Sequence, residues 1–385
     1  MLQVTPALDA GGVERTTIEV AEALTRAGAR AIVASRGGRL EPELEAVGGQ
    51  LVVLPVDSKN PLTMWANVGR IVKLARQARV ALIHARSRAP AWSAWMAARR
   101  LGIPFVTTYH GVYNANSGLK RFYNGIMARG DVVIANSDYT RAHVVKEHRI
   151  DPARVVSIPR GVDLARFDRA SVEPLRVDNM RGLWGIPAHE TRPIVLLPAR
   201  LTRWKGQTVL IEAAAKIEAA APGSAYYVLA GDSQGRAEYV SDLHDLASKL
   251  GIADRVRIVG HLVDMPAALA ASAVAVFPVT DPEAFGRAAV EAQAMGVPVI
   301  ASALGGYTET IADGETRQLV PPGDTGALAT AIQRLLAMSP DARRAMGEKG
   351  AARVRGRYSV DALQAATLRV YQDLLKDRAG AKGRK

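Results

Sequence analysis

Two carboxylates eight positions apart, Glu283 and Glu291, are the residues of this chain best spaced to do chemistry. They stand in residues 275–297, AVFPVTDPEAFGRAAVEAQAMGV: an apolar run of strand length, a polar turn at Thr280-Asp281-Pro282, then a helix-forming stretch that stops near Met295-Gly296. Eight residues are a little over two helical turns, so both carboxylates share a face if the helix opens at Glu283. If it opens later, Glu283 sits on the loop and Glu291 lies two turns in. A strand that feeds a helix N-terminus offers an anion free N–H groups and the positive end of the dipole. Gly286 would let a phosphate approach the backbone closely. Taken alone, the stretch also describes a surface helix with two solvated glutamates behind a core strand.

Other residues repeat this placement at strand ends. Arg200 and Lys205, in Ala199-Arg200-Leu201-Thr202-Arg203-Trp204-Lys205-Gly206, put a guanidinium fork and a point charge on one loop, a pair that suits a diphosphate. Gly11-Gly12 sits between the first strand and its helix, where two glycines can form a nest of N–H groups or merely a turn. The spacing is not Gly-x-Gly-x-x-Gly, so a dinucleotide fingerprint is absent. His110 follows the strand Phe105–Tyr109, where doubly wound sheets place ligands. His84 ends another strand, ahead of Arg86 and Arg88, which we read as acceptor contacts lining a cleft. Gly231-Asp232 and His261-Leu262 end two more. No Asp-x-Asp occurs, so the paired carboxylates of a metal-held diphosphate are not read. The charge of a bound diphosphate then falls to Arg200, Lys205 and the helix start near Gly286.

Gly11-Gly12, His110, Arg200 with Lys205, and Glu283-x7-Glu291 occur in that order. Over essentially its whole length the chain resembles retaining GT-B glycosyltransferases, specifically glycosyltransferase family 4. The resemblance implies an α/β GT-B fold of two Rossmann-like doubly wound domains facing a central cleft. It implies a hexosyltransferase that needs neither cofactor nor metal and uses a UDP- or GDP-linked sugar as co-substrate. His110, Glu283, Arg200 and Lys205 take the catalytic roles: His110 and Glu283 beside the transferred sugar, Arg200 and Lys205 on the diphosphate. Gly11, Gly12, Gly231, Asp232, Leu262, Phe285, Gly286, Arg287 and Glu291 border the donor, with Glu291 on the ribose hydroxyls. In Pro159-Arg160-Gly161-Val162-Asp163, Arg160 stands where the family's interdomain turn usually has Asn, and only a hinge is read there.

The elements that must position these residues are short apolar strands alternating with helices, the pattern of a doubly wound parallel sheet. It runs from Leu2 to Ile158, breaks over 162–192, which is polar and rich in Arg and Asp, and restarts at Ile194. We therefore expect an N-terminal acceptor domain over 1–165, a linker over 166–192 and a donor domain over 193–358, with a last helix, 359–377, crossing back to the first domain. The last strand is expected at Arg317–Val320 and a basic helix at 117–129. At 385 residues two domains are the default.

The absence of cysteine excludes disulfides and thiol catalysis. No transmembrane run and no leader of basic then apolar residues is read, which fits a cytoplasmic enzyme. The net charge is +13, and residues 1–186 hold 26 Lys+Arg against 16 Asp+Glu, a net +10. Such a half suits an acidic partner. Trp92 and Trp95 beside Arg88, Arg99 and Arg100, and Leu119-Lys120-Arg121-Phe122-Tyr123, read either as an anionic membrane contact or as core aromatics under a wet basic face. Charge and resemblance together imply a glycolipid or saccharide acceptor, in lipopolysaccharide or surface polysaccharide synthesis, at the inner face of a bacterial membrane, and no nucleic acid partner. The alternatives are a GT-B nucleotide-sugar epimerase, which would not require Glu-x7-Glu here, and a non-enzymatic nucleotide- or RNA-binding protein, which leaves the carboxylate pair unexplained.

Overall fold

The apolar runs in the middle of each sheet become strands buried on both faces, which is why they read as near-continuous Val/Ile/Leu segments and not as alternations. The computed structural model describes all residues except 10, 114–116, 188, 312–317 and 383–385. The chain divides into two compact units, Met1–Gly161 with Val360–Lys385, and Val162–Ser359.

The first unit runs β1 (Leu2–Val4), α1 (Gly12–Arg26), β2 (Ile32–Ser35), α2 (Glu41–Ala46), β3 (Gln50–Val53), α3 (Pro61–Gln77), β4 (Ile83–Ala85), α4 (Arg88–Leu101), β5 (Phe105–Tyr109), α5 (Gly118–Asn124), β6 (Val132–Ala135), α6 (Asp138–His148) and β7 (Val155–Ser157). Its strands pair in parallel in the order β3-β2-β1-β4-β5-β6-β7. The order reverses between β1 and β4, the switch point outside whose carboxyl ends such sheets bind ligands. Ser137 caps α6 by accepting from Thr140 N at 3.0 Å.

The second unit runs α7 (Pro174–Leu183), β8 (Ile194–Pro198), α8 (Gln207–Ala220), β9 (Tyr226–Ala230), α9 (Ala237–Lys249), β10 (Val256–Val259), α10 (Met265–Ala270), β11 (Val274–Phe277), α11 (Arg287–Ala294), β12 (Val299–Ser302), α12 (Tyr307–Thr310), β13 (Leu319–Val320), α13 (Thr325–Ala337) and α14 (Pro340–Arg357). Its parallel order, β10-β9-β8-β11-β12-β13, reverses between β8 and β11. The chain then returns to the first unit as α15 (Val360–Lys382), which buries Leu363 and Tyr371 with Ile18 and Leu24 of α1 and Leu82.

Two expectations change. The stretch 166–192, expected to be a linker, carries α7, and Met180, Trp184 and Ile186 are buried in the core of the second unit. Arg176 fastens α7 to the cap of α10 with two bonds to Asp264, at 2.8 and 2.9 Å. Three large apolar side chains hold the segment down although most of its surface is charged. The basic helix expected over 117–129 is α5 followed by a 3-10 turn over Gly125–Ala128. Arg317, expected to open the last strand, lies outside the described residues.

Candidate functional site

On the carboxyl edge of the second sheet, the loops after β8 and β11 meet at the switch point. Lys205 ends a short 3-10 turn, and its Nζ is ion-paired with Glu283 Oε2, both side chains being largely buried. The same ammonium lies 4.1 Å from the Trp204 ring centroid. Glu283 precedes the helix and does not open it: its carbonyl accepts from Gly306 N at 2.7 Å and it forms a parallel bridge with Gly305. The helix starts four residues later because Gly286, at φ +83°, turns the chain left-handed as the N-cap of α11. A Cβ at Gly286 would lie 2.7 Å from Cδ1 of Tyr307. Burial and the Glu283 charge push the Tyr307 hydroxyl well above its usual range, so it stays a neutral phenol. Glu291 accepts from Arg287 Nε at 3.1 Å, one turn along α11.

The remaining donor-side candidates divide. Arg200 is exposed, with its Nη1 3.3 Å from Gln234 Oε1. Gly231 lets the ends of β8 and β9 touch, since a Cβ there would lie 2.6 Å from the Ala199 carbonyl carbon. Asp232 is exposed and holds its own turn, accepting from Gln234 N at 2.7 Å. Leu262 is partly buried against the core. Phe285 is a core residue, 2% exposed and edge-on to Tyr358, so only its backbone is available to a ligand.

On the carboxyl edge of the first sheet, Gly11, Gly12, Arg86 and His110 follow β1, β4 and β5. Arg86, expected to line an acceptor site, is instead inside: it is 2% exposed and its Nε donates to Gln3 Oε1 at 2.7 Å. The register explains this, because Gln3 pairs with His84, two residues before Arg86. Burial lowers the Arg86 pKa. Arg88 is not brought beside it. It starts α4, donates to Asn124 Oδ1 at 2.9 Å and lies 4.2 Å from the Tyr113 ring centroid. The space beside Gly12, a residue the resemblance places at the donor, holds the Arg160 guanidinium: a Cβ there would lie 2.8 Å from Cζ of Arg160.

His110 Nδ1 is 3.1 Å from Arg160 Nη2, and its carbonyl accepts from Asn136 Nδ2 at 3.1 Å. Burial, then Arg160, then Arg86 push its pKa well below the usual value. His84 is held neutral by burial in the same way, with Nδ1 2.6 Å from Tyr371 Oη and Nε2 2.7 Å from Thr108 Oγ1. Of the membrane candidates, Trp92 and Trp95 are partly buried under the Arg129 guanidinium, while Leu119 and Phe122 are exposed.

Sequence reasoning missed Gly305-Gly306, whose backbone holds the Glu283 loop. A double glycine directly after an apolar run was the available signal, the same one that drew attention to Gly11-Gly12. It also missed Asn136 and Tyr371, which nothing in their local sequence distinguishes.

Residues 10–166 match the family model described as Glycosyltransferase Family 4, and residues 184–353 the model described as Glycosyl transferases group 1. Two doubly wound parallel sheets, the second with a lysine–glutamate pair at its switch point, make this a GT-B glycosyltransferase. The chain is 32% identical to the D-inositol 3-phosphate glycosyltransferase of Salinispora tropica, over 96% of this chain and 82% of that one. It belongs to the glycosyltransferase family those models describe, and is an enzyme of the hexosyltransferase class. A glycosyltransferase from Rickettsia africae superposes with a TM-score of 0.89 at 34% identity, covering 97% of this chain and 98% of that one. HepE of Anabaena, solved with UDP and glucose, shares the fold with a TM-score of 0.84 at 24% identity, covering 96% of this chain and 98% of its own.

Proposed function

We propose that the protein moves a hexosyl group from a nucleotide sugar to an acceptor hydroxyl, with retention at the anomeric carbon. The observation that carries the reading is the pairing of Lys205 with Glu283 across the β8/β11 switch point, directly before a helix that bears Arg287 and Glu291. Lys205 and Arg200 take the donor diphosphate. Glu291 takes the ribose hydroxyls, and Glu283 lies beside the sugar. As the nucleoside diphosphate leaves, charge grows on its phosphate oxygens, and the partly buried Lys205, the exposed Arg200 and the N–H groups at the start of α11 balance it. The acceptor hydroxyl attacks from the face the leaving group departs, and a donor phosphate oxygen takes its proton. No side-chain nucleophile enters, and the diphosphate charge is assigned to the two cations with no metal.

A phosphorylated acceptor fits the +10 balance of residues 1–186, and the Salinispora relative is named for D-inositol 3-phosphate. A second reading, a lipid-linked saccharide of surface polysaccharide or lipopolysaccharide synthesis, is favoured by Leu119 and Phe122, 79% and 60% exposed beside Lys120 and Arg121. Among the described residues no helix is long and apolar enough to cross a membrane, so that attachment would be peripheral.

The test is binding and turnover of UDP-, GDP- and ADP-hexoses without added metal, by wild type and Glu291→Ala, with inositol phosphate and lipid-linked saccharides as acceptors. Saturable binding of one donor, lost in Glu291→Ala, and a product of unchanged anomeric configuration are expected. Folded protein that binds no donor overturns the reading, and an inverted product overturns the retaining mechanism.

A further inference from the structure

The first unit holds a small, partly open cavity of about 20 Å³, lined among others by His84, Arg86, Thr108, His110, Asn136 and Arg160. That is room for roughly one oxygen atom. Among the described residues, its lining side chains carry buried atoms without a partner: His110 Nε2, Arg86 Nη2, which is a donor, and Asn136 Oδ1. The Asn136 amide is oriented by chemistry, since the group 3.1 Å from the His110 carbonyl must be the donor, which leaves Oδ1 as the acceptor. The His110 ring is oriented the same way. A guanidinium has five donors and no acceptor, so Nδ1, 3.1 Å from Arg160 Nη2, must accept. A neutral imidazole that accepts at Nδ1 carries its proton at Nε2.

Arg160 reaches the ring only because position 12 has no side chain, a Cβ there lying 2.8 Å from Cζ. A cation beside the first turn of α1 opposes the helix dipole. Glu14, in that same turn, interacts favourably with it: the Arg160 charge works against the burial that raises the Glu14 carboxyl.

We propose that Arg160 is a positioning residue that, in the space left by Gly12, locks His110 as a neutral Nε2–H donor, which with Arg86 Nη2 and Asn136 Oδ1 forms a subsite for one substrate hydroxyl. A hydroxyl has two lone pairs for the two N–H donors and one proton for Asn136 Oδ1, and so satisfies all three atoms at once. The hydroxyl assignment rests on the glycosyl-transfer reading; the locked tautomer does not. The charged and titratable groups around the ring are Arg160, Arg86, His84 and Tyr113. Both arginines disfavour a cationic ring, so His110 is expected to stay neutral as pH falls through 6.5, where a free imidazole takes its proton.

The experiment is nitrogen-15 spectroscopy of histidine-labelled protein from pH 5 to 8, with His110 assigned through His110→Asn, on wild type, Arg160→Leu and Gly12→Ala. Wild type is expected to show a pyridine-like Nδ1, a protonated Nε2 and no titration of His110. Both variants, confirmed folded by their melting transitions, are expected to mix tautomers and to bring His110 into the titrating range. Gly12→Ala does so without touching either partner, by displacing the guanidinium. A wild-type proton on Nδ1, or variants whose His110 behaves as in wild type, overturns the lock. Donor and acceptor candidates are then added to wild type: a shift of the Nε2–H signal on saturation supports the subsite, and an unmoved signal under demonstrated binding overturns it. Both variants should lose about tenfold in kcat/KM, the scale of one misdirected hydrogen bond. Without turnover for any donor the reaction reading fails while the tautomer result stands.

Discussion

Replacing Gly206 with alanine separates two costs that usually come together. Gly206 links the Lys205 turn to α8 at φ +78°. A left-handed alanine costs about 1–2 kcal/mol wherever it occurs. At Gly206 the new Cβ would also be driven into Pro278 of the neighbouring loop, 2.7 Å from its carbonyl carbon and 3.1 Å from Cγ, against about 3.5–4 Å for a comfortable carbon contact. The loop cannot simply drift away, since Thr280 N donates to Trp204 O at 2.9 Å across the same gap. Overpacking of this kind adds about 1–3 kcal/mol. Gly251 supplies the control: it lies in the same unit at φ +71°, with nothing within 4 Å of its Cβ position. For a unit of roughly 200 residues, at about 2–4 °C per kcal/mol, Gly251→Ala should melt a few degrees low and Gly206→Ala about 5–15 °C low. Calorimetric scans of both variants read the difference directly. Transitions within two or three degrees (~1 kcal/mol) of each other would show that the loops give way freely, and refute the claim that packing against Pro278 holds Lys205 in place.

Other perturbations test separate parts of the structure. His84 and His110 are both buried and neutral, so below the ordinary pKa of about 6.5 the unfolded chain binds protons there that the folded chain does not; stability then falls with falling pH, by at most about 1.4 kcal/mol per pH unit for each. Urea titrations at pH 7.5 and 5.5 should show the drop, and equal midpoints would contradict the burial. Trp184→Ala removes a side chain that is 2% exposed and should cost about 3–5 kcal/mol by denaturant unfolding; a loss below about 1 kcal/mol would mean that the stretch after Asp163 is a tether after all. Leu119→Ser with Phe122→Ser should weaken sedimentation with vesicles containing anionic lipid while leaving turnover of a soluble acceptor unchanged. Equal sedimentation would remove the membrane reading.

What the sequence made legible depended on how local the determinants were. The strands of both sheets, and the Ser137 cap, are set by residues within one segment. The true start of α11 turns on one backbone angle at Gly286, and Glu-x7-Glu spacing is compatible with either start. Helix α7 was hidden because the three core residues in and just after it are scattered among charges and its anchor, Asp264, lies 88 positions on from Arg176. Arg86 read as a surface cation because its partner, Gln3, belongs to a strand 83 positions earlier. His110 is held by groups from two separate segments, Arg160 on the ring and Asn136 on the carbonyl. The departure at Arg160 was visible, but nothing local connects it to Gly12 or to the imidazole.

Val162 and Ser359, the first and last residues of the second unit, form a parallel bridge, and Val162 N donates to Tyr358 O at 2.7 Å. That unit is thus an insertion with its ends clasped, and this fixes an order of events on the ribosome. The inserted unit is one continuous stretch, able to fold once Ser359 has emerged. The first unit begins earlier yet finishes later, because α15 is made last of its parts. At about 5–20 residues per second, the roughly 200 inserted residues take on the order of 10–40 s to synthesise. Throughout that interval the apolar sides of Ile18, Leu24 and Leu82, later covered by Leu363 and Tyr371, stay open to solvent and to any chaperone that binds nascent chains.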